Sequence, residues 1–485
     1  MGKSIKKNAI LNAIKVLMSM VFPLISFPYA SRVLGPESIG KVDFSTSVVS
    51  YFILFASLGI TTYGIRQGAK VRDDKEKLSI FVQEIFIINV VTTVIAYVVF
   101  IISILNLVQL KPYFSILCIT SLSIGFTTLG IDWLYGALEE YAYITIRSVI
   151  FQLLSLILLF ILVRDQNDYL QYAFVQIFAT VGSNLLNFIH ANKFISWKKT
   201  THYNFERHLR PIFIIFGLNL ACNVYMNLDK TMIGLICGDR EVGLYTAALK
   251  LNRVITQLIL SVGTVVTARL SYYFVKGKLE EYQKLFSKVF NCAVLLAIPS
   301  AIGIFLLSKE TLILLSGYEY IDATVTSKIL SFIIIIIGMS NLISVQIFIP
   351  TDHEKYSLLA SSVAAIVNFS LNMLLIGKYG KNGAAFSTVI AELTALIICV
   401  CFSKRMIKFV GVKKNFIQSA IATIFIIPIY YFVKMNFSNP YLILCLTVAL
   451  GGLIYFFILV VQRNAYVLEG MNFVKNKMKN FKEKR

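Results

Sequence analysis

Two cations, Lys250 and Arg253, lie three residues apart within a largely apolar stretch of the sequence. On a helix, this spacing puts both side chains on one face. At membrane depth the two charges repel each other, unless an anion joins them or water fills the space beside them. The pair therefore predicts either a polar cavity that receives an anion, or a structural ion pair with Asp229 or Glu392.

Other polar residues interrupt apolar stretches in the same way. Lys15 follows Asn8 and Asn12 at helical spacing, although a lysine near a helix end can also extend its ammonium to the membrane surface. The segment from 219 to 230 is unusually rich in asparagine and is typical of a helix that lines water. The residues predicted to bind a ligand are Lys250, Arg253, Lys15, Arg32, Asn223 and Asn227.

A second group consists of carboxylates with one lysine, for which we predict ion coupling or gating. Its members are Asp229, Lys230, Glu392 and Asp43. Glu392 has an alternative role as a neutral carboxylic acid that hydrogen-bonds another helix. Asp229 and Lys230 are adjacent in sequence, so their side chains diverge and need not neutralise each other.

The stretch RVLGPESIGKVDF, residues 32–44, contains most of a phosphate-binding loop, with Gly35, Gly40 and Lys41 in register. That motif also needs a hydroxyl after its lysine to hold magnesium, and position 42 is valine. It further needs a buried strand before it, whereas the flanking sequence here is apolar and helical. We therefore expect no ATP binding.

Composition identifies the class of protein. The 485 residues are 57% hydrophobic and 15% charged, which indicates an integral membrane protein because soluble domains are nearer one quarter charged. The net charge of +21 belongs to cytoplasmic loops in such a protein, so it does not predict nucleic-acid binding. The four histidines form no cluster with ligand spacing, and no catalytic set of residues is evident. We expect no metal, no cofactor and no enzymatic activity.

A membrane-spanning helix needs roughly 20 mostly apolar residues, and the sequence contains about fourteen such stretches. The fold predicted is an all-α, polytopic integral membrane protein, whose first helix is retained and not a cleaved signal. The predicted spans are 8–31, 42–65, 79–107, 112–136, 146–164, 168–191, 209–236, 241–268, 286–308, 324–349, 356–377, 381–403, 415–434 and 439–462.

The distribution of Lys and Arg supports this map. With the N-terminus in the cytoplasm, 32 of the 46 Lys and Arg residues fall in cytoplasmic segments, ten in external segments and four inside helices. Positive residues are enriched in the cytoplasmic loops of membrane proteins. Both termini are therefore predicted to be cytoplasmic, and the loop 34–45 is predicted to be external.

An internal repeat is suggested by two loops that share the pattern G-x-x-x-x-G. LGPESIGKVDFS (34–45) corresponds to CGDREVGLYTAA (237–248), and each loop lies between the first and second helix of a six-helix half. A duplicated transporter core would produce this arrangement. We therefore predict two pseudo-symmetric six-helix lobes, 1–205 and 206–405, followed by two helices and a basic cytoplasmic tail in 406–485.

Two blocks of sequence resemble a known family. The segment 22–74 is similar to the opening of Wzx-type oligosaccharide-lipid flippases, which belong to the multidrug/oligosaccharidyl-lipid/polysaccharide export superfamily. Its matching elements are Ser31-Arg32, Leu34-Gly35-Pro36, Gly40, Phe44, Tyr51-Phe52, Gly59-Ile60 and Tyr63-Gly64-Ile65-Arg66. The second block has the matching elements Asp132-Trp133, Gly136, Glu139, Tyr143-Ile144-Thr145 and Arg147. Of these, Arg66, Asp132, Trp133 and Arg147 are predicted to form a cytoplasmic motif.

The resemblance implies a function. Such flippases move an undecaprenyl-diphosphate-linked oligosaccharide from the cytoplasmic to the outer leaflet of the bacterial plasma membrane, with two lobes that alternate around a cationic cavity. O antigen and capsule are the corresponding products. The resemblance also implies membrane lipids, a polysaccharide polymerase and a chain-length regulator as partners.

The residues agree with this implication, because a diphosphate and a glycan cannot cross hydrocarbon without a polar path. Two alternatives stay open. An exporter of drugs or organic cations from the same superfamily would favour acidic and aromatic cavity residues. A membrane glycan polymerase or ligase would have a large external loop, and none is visible in the sequence.

Overall fold

The computed structural model describes residues 5–198, 203–264 and 266–472, and within these ranges the chain forms helices and turns with no strand. The predicted all-α class is confirmed. Contacts divide the chain into two compact units, Met1–Gly243 and Leu244–Arg485. The predicted lobes, 1–205 and 206–405, are based on the internal repeat and not on contacts, and they stay a prediction.

The first unit is built from nine helices and the start of a tenth, among the described residues. They are α1 (Ile5–Ser57), α2 (Ile60–Val71), α3 (Lys75–Asn106), α4 (Phe114–Gly130), α5 (Asp132–Ala137), α6 (Tyr141–Leu162), α7 (Tyr169–Val181), α8 (Asn184–Ala191) and α9 (Glu206–Cys237). A 3-10 turn, Val108–Tyr113, precedes α4. Helix α10 (Asp239–Thr264) begins in the first unit and continues into the second.

The second unit continues with α11 to α18. These helices are α11 (Thr267–Val275), α12 (Leu279–Ser316), α13 (Thr324–Leu330), α14 (Ile333–Ile343), α15 (Glu354–Ser403), α16 (Val412–Ile424), α17 (Ile426–Asn436) and α18 (Pro440–Val461). A 3-10 turn, Tyr318–Ala323, precedes α13, and a π-helical turn, Ser344–Phe348, follows α14.

Within the described residues, ten helices are long and apolar enough to cross a membrane, or eleven if the bent pair from Tyr318 to Phe348 is one span. Two of the ten, Val21–Val71 and Glu354–Ser403, have 51 and 50 residues. At 1.5 Å per residue each is about 75 Å long, which is more than twice the ~30 Å of bilayer hydrocarbon. The first is interrupted at Gly35 and again at Leu58–Gly59, and the second is interrupted at Gly380. If the bent pair is one span and each long stretch is two, the count rises from ten to thirteen, and the more polar α9 would make fourteen. The predicted number of fourteen stays a prediction.

Two predicted spans contain a helix end that the apolar sequence does not indicate. The predicted span 42–65 ends at Ser57, because Leu58 and Gly59 both have positive φ, 43° and 77°. The predicted span 112–136 is divided at Ile131, whose φ is 43°. A left-handed residue ends the helical hydrogen-bond ladder whatever its side chain, so an apolar pattern does not reveal it.

The two G-x-x-x-x-G loops have the same backbone geometry. Gly35 has φ 70° and ψ 174°, and Gly238 has φ 88° and ψ 177°. Residues other than glycine rarely adopt this backbone conformation. Each glycine therefore allows one helix to end and the next to begin without an intervening loop. This likeness is what an internal repeat at these positions would produce.

The second glycine of each loop lies against the backbone of the other loop. A Cβ on Gly40 would lie 1.8 Å from the carbonyl oxygen of Asp239, and a Cβ on Gly243 would lie 1.9 Å from that of Pro36. Any side chain there would overlap with backbone atoms, so these glycines permit a close approach of α1 and α10 in the first unit.

Candidate functional site

The polar face of α10 consists of Lys250, Arg253, Gln257 and Ser261, which recur at helical spacing. Arg253, Gln257 and Ser261 are exposed, and Lys250 is half-buried. The helix therefore presents two cations, an amide and a hydroxyl along one stripe. The predicted cation pair is on one helix face, as its spacing implied.

Other faces of α10 are anchored in the second unit. The side-chain amide of Asn252 is fully buried and donates to the carbonyl oxygens of Ala248, at 2.8 Å, and Ser327, at 3.3 Å. The hydroxyls of Tyr245 and Thr388 are 3.2 Å apart. Buried leucine and isoleucine side chains complete this packing. The direction in which Lys250 and Arg253 project is therefore fixed by the packing of their own helix.

Arg253 lies deep along an apolar helix. It is fourteen positions after Asp239, the first residue of α10, which corresponds to about 21 Å along the helix axis. The helix belongs to a candidate membrane span, Asp239–Val275. Arg253 is exposed and forms no ion pair with any described residue. A guanidinium at this depth requires water or an anion around it.

The predicted polar residues of α9 are in the first unit. Asn223 and Asn227 are half-buried, and the amide of Asn227 donates to the carbonyl oxygen of Asn223 at 3.2 Å. One turn later, the hydroxyl of Thr231 lies 3.0 Å from that of Ser47 and 3.1 Å from that of Tyr51. These hydroxyls join α9 to α1 and give this part of α9 the polar character that its sequence predicted.

The remaining predicted residues occupy different environments. Asp43 and Asp229 are buried, whereas Lys230 and Glu392 are half-buried. Their role in ion coupling or gating stays a prediction. Arg32 is exposed on α1, three residues before the break at Gly35. Lys15 is in α1, and its side chain lies outside the part of the structure that is described.

Two residues of the predicted cytoplasmic motif, the buried Arg147 and the partly exposed Asp132, form an ion pair. The guanidinium of Arg147 is 6% exposed and donates to Asp132 Oδ1 at 3.1 Å and to the carbonyl oxygen of Ser183 at 3.4 Å. The amide of Asn187 donates to the same carboxylate oxygen at 2.5 Å. The Tyr143 ring lies 5.9 Å from the guanidinium carbon. These contacts join α5, α6 and α8.

The other two residues of that motif are separate from this pair. Trp133 is buried, and its indole lies against Gly64, where a Cβ would come within 2.5 Å of the ring. Phe81 meets the same indole edge to face, with ring centroids 5.7 Å apart. Trp133 therefore packs α5 against α2 and α3. Arg66 is exposed on α2.

One buried polar cluster was missed by the sequence analysis. The carboxylate of Glu84 on α3 is 1% exposed and accepts hydrogen bonds from Arg207 at 2.5 Å and from the backbone N–H of Asn204 at 2.7 Å. Its other close neighbour is His208 Nε2, at 2.8 Å, and the second ring nitrogen of that histidine lies 2.7 Å from the Tyr63 hydroxyl. The sequence does contain a signal for this cluster. Glu84 is the one carboxylate in the apolar stretch from 78 to 106, and a carboxylate there needs a partner.

An apolar groove of about 570 Å³ lies between α17 and α18. Its lining consists of Pro428, Ile429, Phe432, Leu450, Leu453, Ile454 and Phe457. All seven of these lining residues are apolar.

Comparison with known families identifies the chain. Residues 5–274, more than half of the sequence, match the polysaccharide biosynthesis protein family. The chain belongs to the polysaccharide biosynthesis protein family. Residues 244–451 match a second family, the lipid II flippase MurJ. The predicted resemblance to Wzx-type flippases of the export superfamily is confirmed.

Relatives of this family member cover most of its length. It is 24% identical over 410 residues to a protein of Escherichia coli named as an O-antigen transporter, with 83% of this chain and 97% of that protein covered. It is also 24% identical over 380 residues to the capsular polysaccharide biosynthesis protein CapF of Staphylococcus aureus, with 76% and 92% covered. These names are those of transporters and of polysaccharide biosynthesis proteins, in agreement with the predicted class.

Solved structures share the fold. The inward closed conformation of the lipid II flippase MurJ superposes with a TM-score of 0.77 at 16% identity, covering 94% of this chain and 99% of that one. An inward-facing multidrug resistance transporter of the MATE family has a TM-score of 0.62 at 14% identity, covering 84% and 99%. The fold and the apolar helices together make this family member a multi-pass membrane protein.

Proposed function

We propose that this protein is a flippase, which moves an undecaprenyl-diphosphate-linked oligosaccharide from the cytoplasmic to the outer leaflet of a bacterial plasma membrane. The observation that supports this proposal best is the polar face of α10, where Lys250 and Arg253 lie on a helix that belongs to a candidate membrane span and is anchored through the buried Asn252. Family membership and the transporter names of the relatives agree with it.

The chemistry of the polar face suits an anionic head group. A diphosphate carries about two negative charges, and a guanidinium can donate two parallel hydrogen bonds to one phosphate while an ammonium acts as a point charge. Gln257 and Ser261 continue the stripe beyond the cations. Their amide and hydroxyl groups would hydrogen-bond the sugar hydroxyls, which otherwise lose their water inside the membrane.

The lipid tail needs no polar path. The apolar groove between α17 and α18 has a lining of aliphatic and aromatic side chains that matches an isoprenoid chain. In this proposal, the head group crosses next to the cations while the hydrocarbon stays among apolar surfaces. Asn223, Asn227, Lys15 and Arg32 are further candidates for contact with the head group.

The proposal also includes the orientation of the protein in the membrane and its protein partners. The cytoplasmic location of both termini depends on the distribution of Lys and Arg in the sequence. A polysaccharide polymerase and a chain-length regulator are proposed as partners because they would act on the exported repeat unit. A cationic drug is a less suitable cargo, although the fold is shared with multidrug transporters. The polar face of α10 presents two cations, which would repel it.

The test is the double substitution Lys250→Gln and Arg253→Gln in cells whose surface polysaccharide depends on this protein. We expect export to fall roughly 100-fold or more, since each hydrogen bond to a charged group contributes roughly 1.5–3 kcal/mol. The assay is surface polysaccharide per cell at equal membrane protein level. The matched control is Lys276→Gln with Lys278→Gln, which removes two exposed charges just after α11.

Two results would overturn the proposal. One is undiminished export by the α10 variant while the control behaves as wild type. The other is a protein that confers drug resistance lost in the α10 variant, with no effect on polysaccharide, because that result would identify a drug exporter.

A further inference from the structure

A cleft of about 620 Å³ opens in the first unit beside the buried Glu84 cluster. It lies among the end of α2, the start of α3 and the start of α9, at residues that the distribution of Lys and Arg assigns to the cytoplasmic side. None of the residues proposed to bind the flippase cargo is in its lining.

The lining of this cleft has more positive than negative side chains. Its lining contains three cations, Lys70, Lys77 and Arg207, and one carboxylate, Glu84. The Glu84 carboxylate already accepts hydrogen bonds from Arg207 and from the Asn204 backbone, so its charge is compensated inside the protein. The two lysines give the cleft an excess of positive charge, which attracts an anion.

The two lysines are available to a ligand. Both are exposed, and Lys70 forms no ion pair with any of the described residues. Lys77 contacts Asp74 at 3.1 Å in an exposed pair, and such pairs contribute little to stability. The backbone N–H groups of Lys77 and Glu76 also donate to the Asp74 side chain. The Lys77 N–H, followed by the Lys77 ammonium, lowers the pKa of that carboxyl. Because the backbone holds that carboxylate, the Lys77 ammonium can turn to another anion without loss of the helix cap.

Part of the cleft lining, its apolar wall, consists of hydrophobic side chains. Val71, Ile80, Phe81 and Pro211 line it together with the Tyr63 ring. Exposed cations beside an apolar wall match an amphiphile, with a negative head group and a hydrocarbon chain, better than they match a free inorganic anion.

We propose that this cleft binds the phosphate of an anionic phospholipid, with Lys70 and Lys77 at the head group and the apolar wall against the upper part of its acyl chain. One bound lipid would then connect α2, α3 and α9. This site is separate from the polar face of α10, so its occupancy does not depend on the proposed cargo.

The experiment uses the purified full-length protein and phosphatidylglycerol as the probe. Native mass spectrometry counts retained lipids, and the melting temperature is measured with phosphatidylglycerol, phosphatidylcholine or inorganic phosphate added. The test variant is Lys70→Gln with Lys77→Gln. Both positions are exposed, so the fold should be unaffected. The matched control is Lys413→Gln with Lys414→Gln, two exposed lysines at the start of α16.

We expect the test variant to retain one phosphatidylglycerol fewer than wild type and to bind it roughly tenfold more weakly or worse, because each basic residue near an anionic lipid contributes roughly 1 kcal/mol. The control should bind like wild type, and phosphatidylcholine should not stabilise either protein. Equal retention by test variant and wild type would overturn the proposal. Stabilisation by inorganic phosphate as strong as by phosphatidylglycerol would also overturn it, since the cleft would then take a free anion.

Discussion

Arg147 and Arg253 are both arginines on apolar helices, and the structure treats them differently. Arg147 is 6% exposed and its guanidinium contacts a carboxylate and a backbone carbonyl oxygen. Arg253 is exposed and, among the described residues, has no ion-pair partner. The first guanidinium is compensated by its own protein. The second has no such compensating carboxylate among the residues that the structure describes.

This difference separates structural charge from functional charge. A buried charge that is paired with a carboxylate of its own protein fixes the geometry of the helices that hold it. An exposed charge at membrane depth contributes nothing to packing and is retained at an energetic cost, so it indicates a ligand or a water-filled path. The comparison predicts that substitutions at Arg147 change stability, whereas substitutions at Arg253 change transport.

The largest effect on stability is expected for Arg147→Gln. The shorter amide cannot reach the Asp132 carboxylate, the Ser183 carbonyl oxygen and the Tyr143 ring together. Removal of one partner of a buried pair typically costs 3–5 kcal/mol, and we expect about 2 kcal/mol here because Asp132 is 46% exposed and can be hydrated. The melting temperature of the purified protein measures the loss. Unchanged melting would show that Arg147 is not a structural residue.

Sequence reasoning succeeded where the physical signal is local. Hydropathy identified the apolar helices, and the i, i+3 spacing of Lys250 and Arg253 put them on one face of α10, as the structure has them. It failed where the signal is a partner distant in sequence. Glu84 and Arg207 are 123 residues apart, and no periodicity links them. The helix ends at Leu58 and Ile131 were missed because positive φ at an apolar residue depends on tertiary packing.

A smaller effect is expected for Arg253→Lys, and on transport alone. The substitution keeps the charge but removes the planar fork that can bind one phosphate through two hydrogen bonds. We expect export to fall roughly fivefold, between wild type and Arg253→Gln, with melting temperature unchanged because the side chain is exposed. Surface polysaccharide at equal protein level measures it. A lysine variant as defective as the glutamine variant would show that geometry and not charge dominates at this position.

The smallest effect is expected for Asp132→Asn, and it sharpens the contrast between the two arginines. The amide keeps the shape of the carboxylate, and its oxygen can still accept from Arg147 Nη2 or Asn187 Nδ2, at 3.1 Å and 2.5 Å in the present structure. The ionic part of the pair is lost, but Asp132 is nearly half exposed, so solvent already screens that charge. We expect a loss of about 1 kcal/mol or less, visible as a small fall in melting temperature, with export unchanged at equal protein level. If Asp132→Asn instead abolished export while melting stayed normal, the pair would belong to the transport cycle, and burial would no longer distinguish structural from functional arginines in this protein.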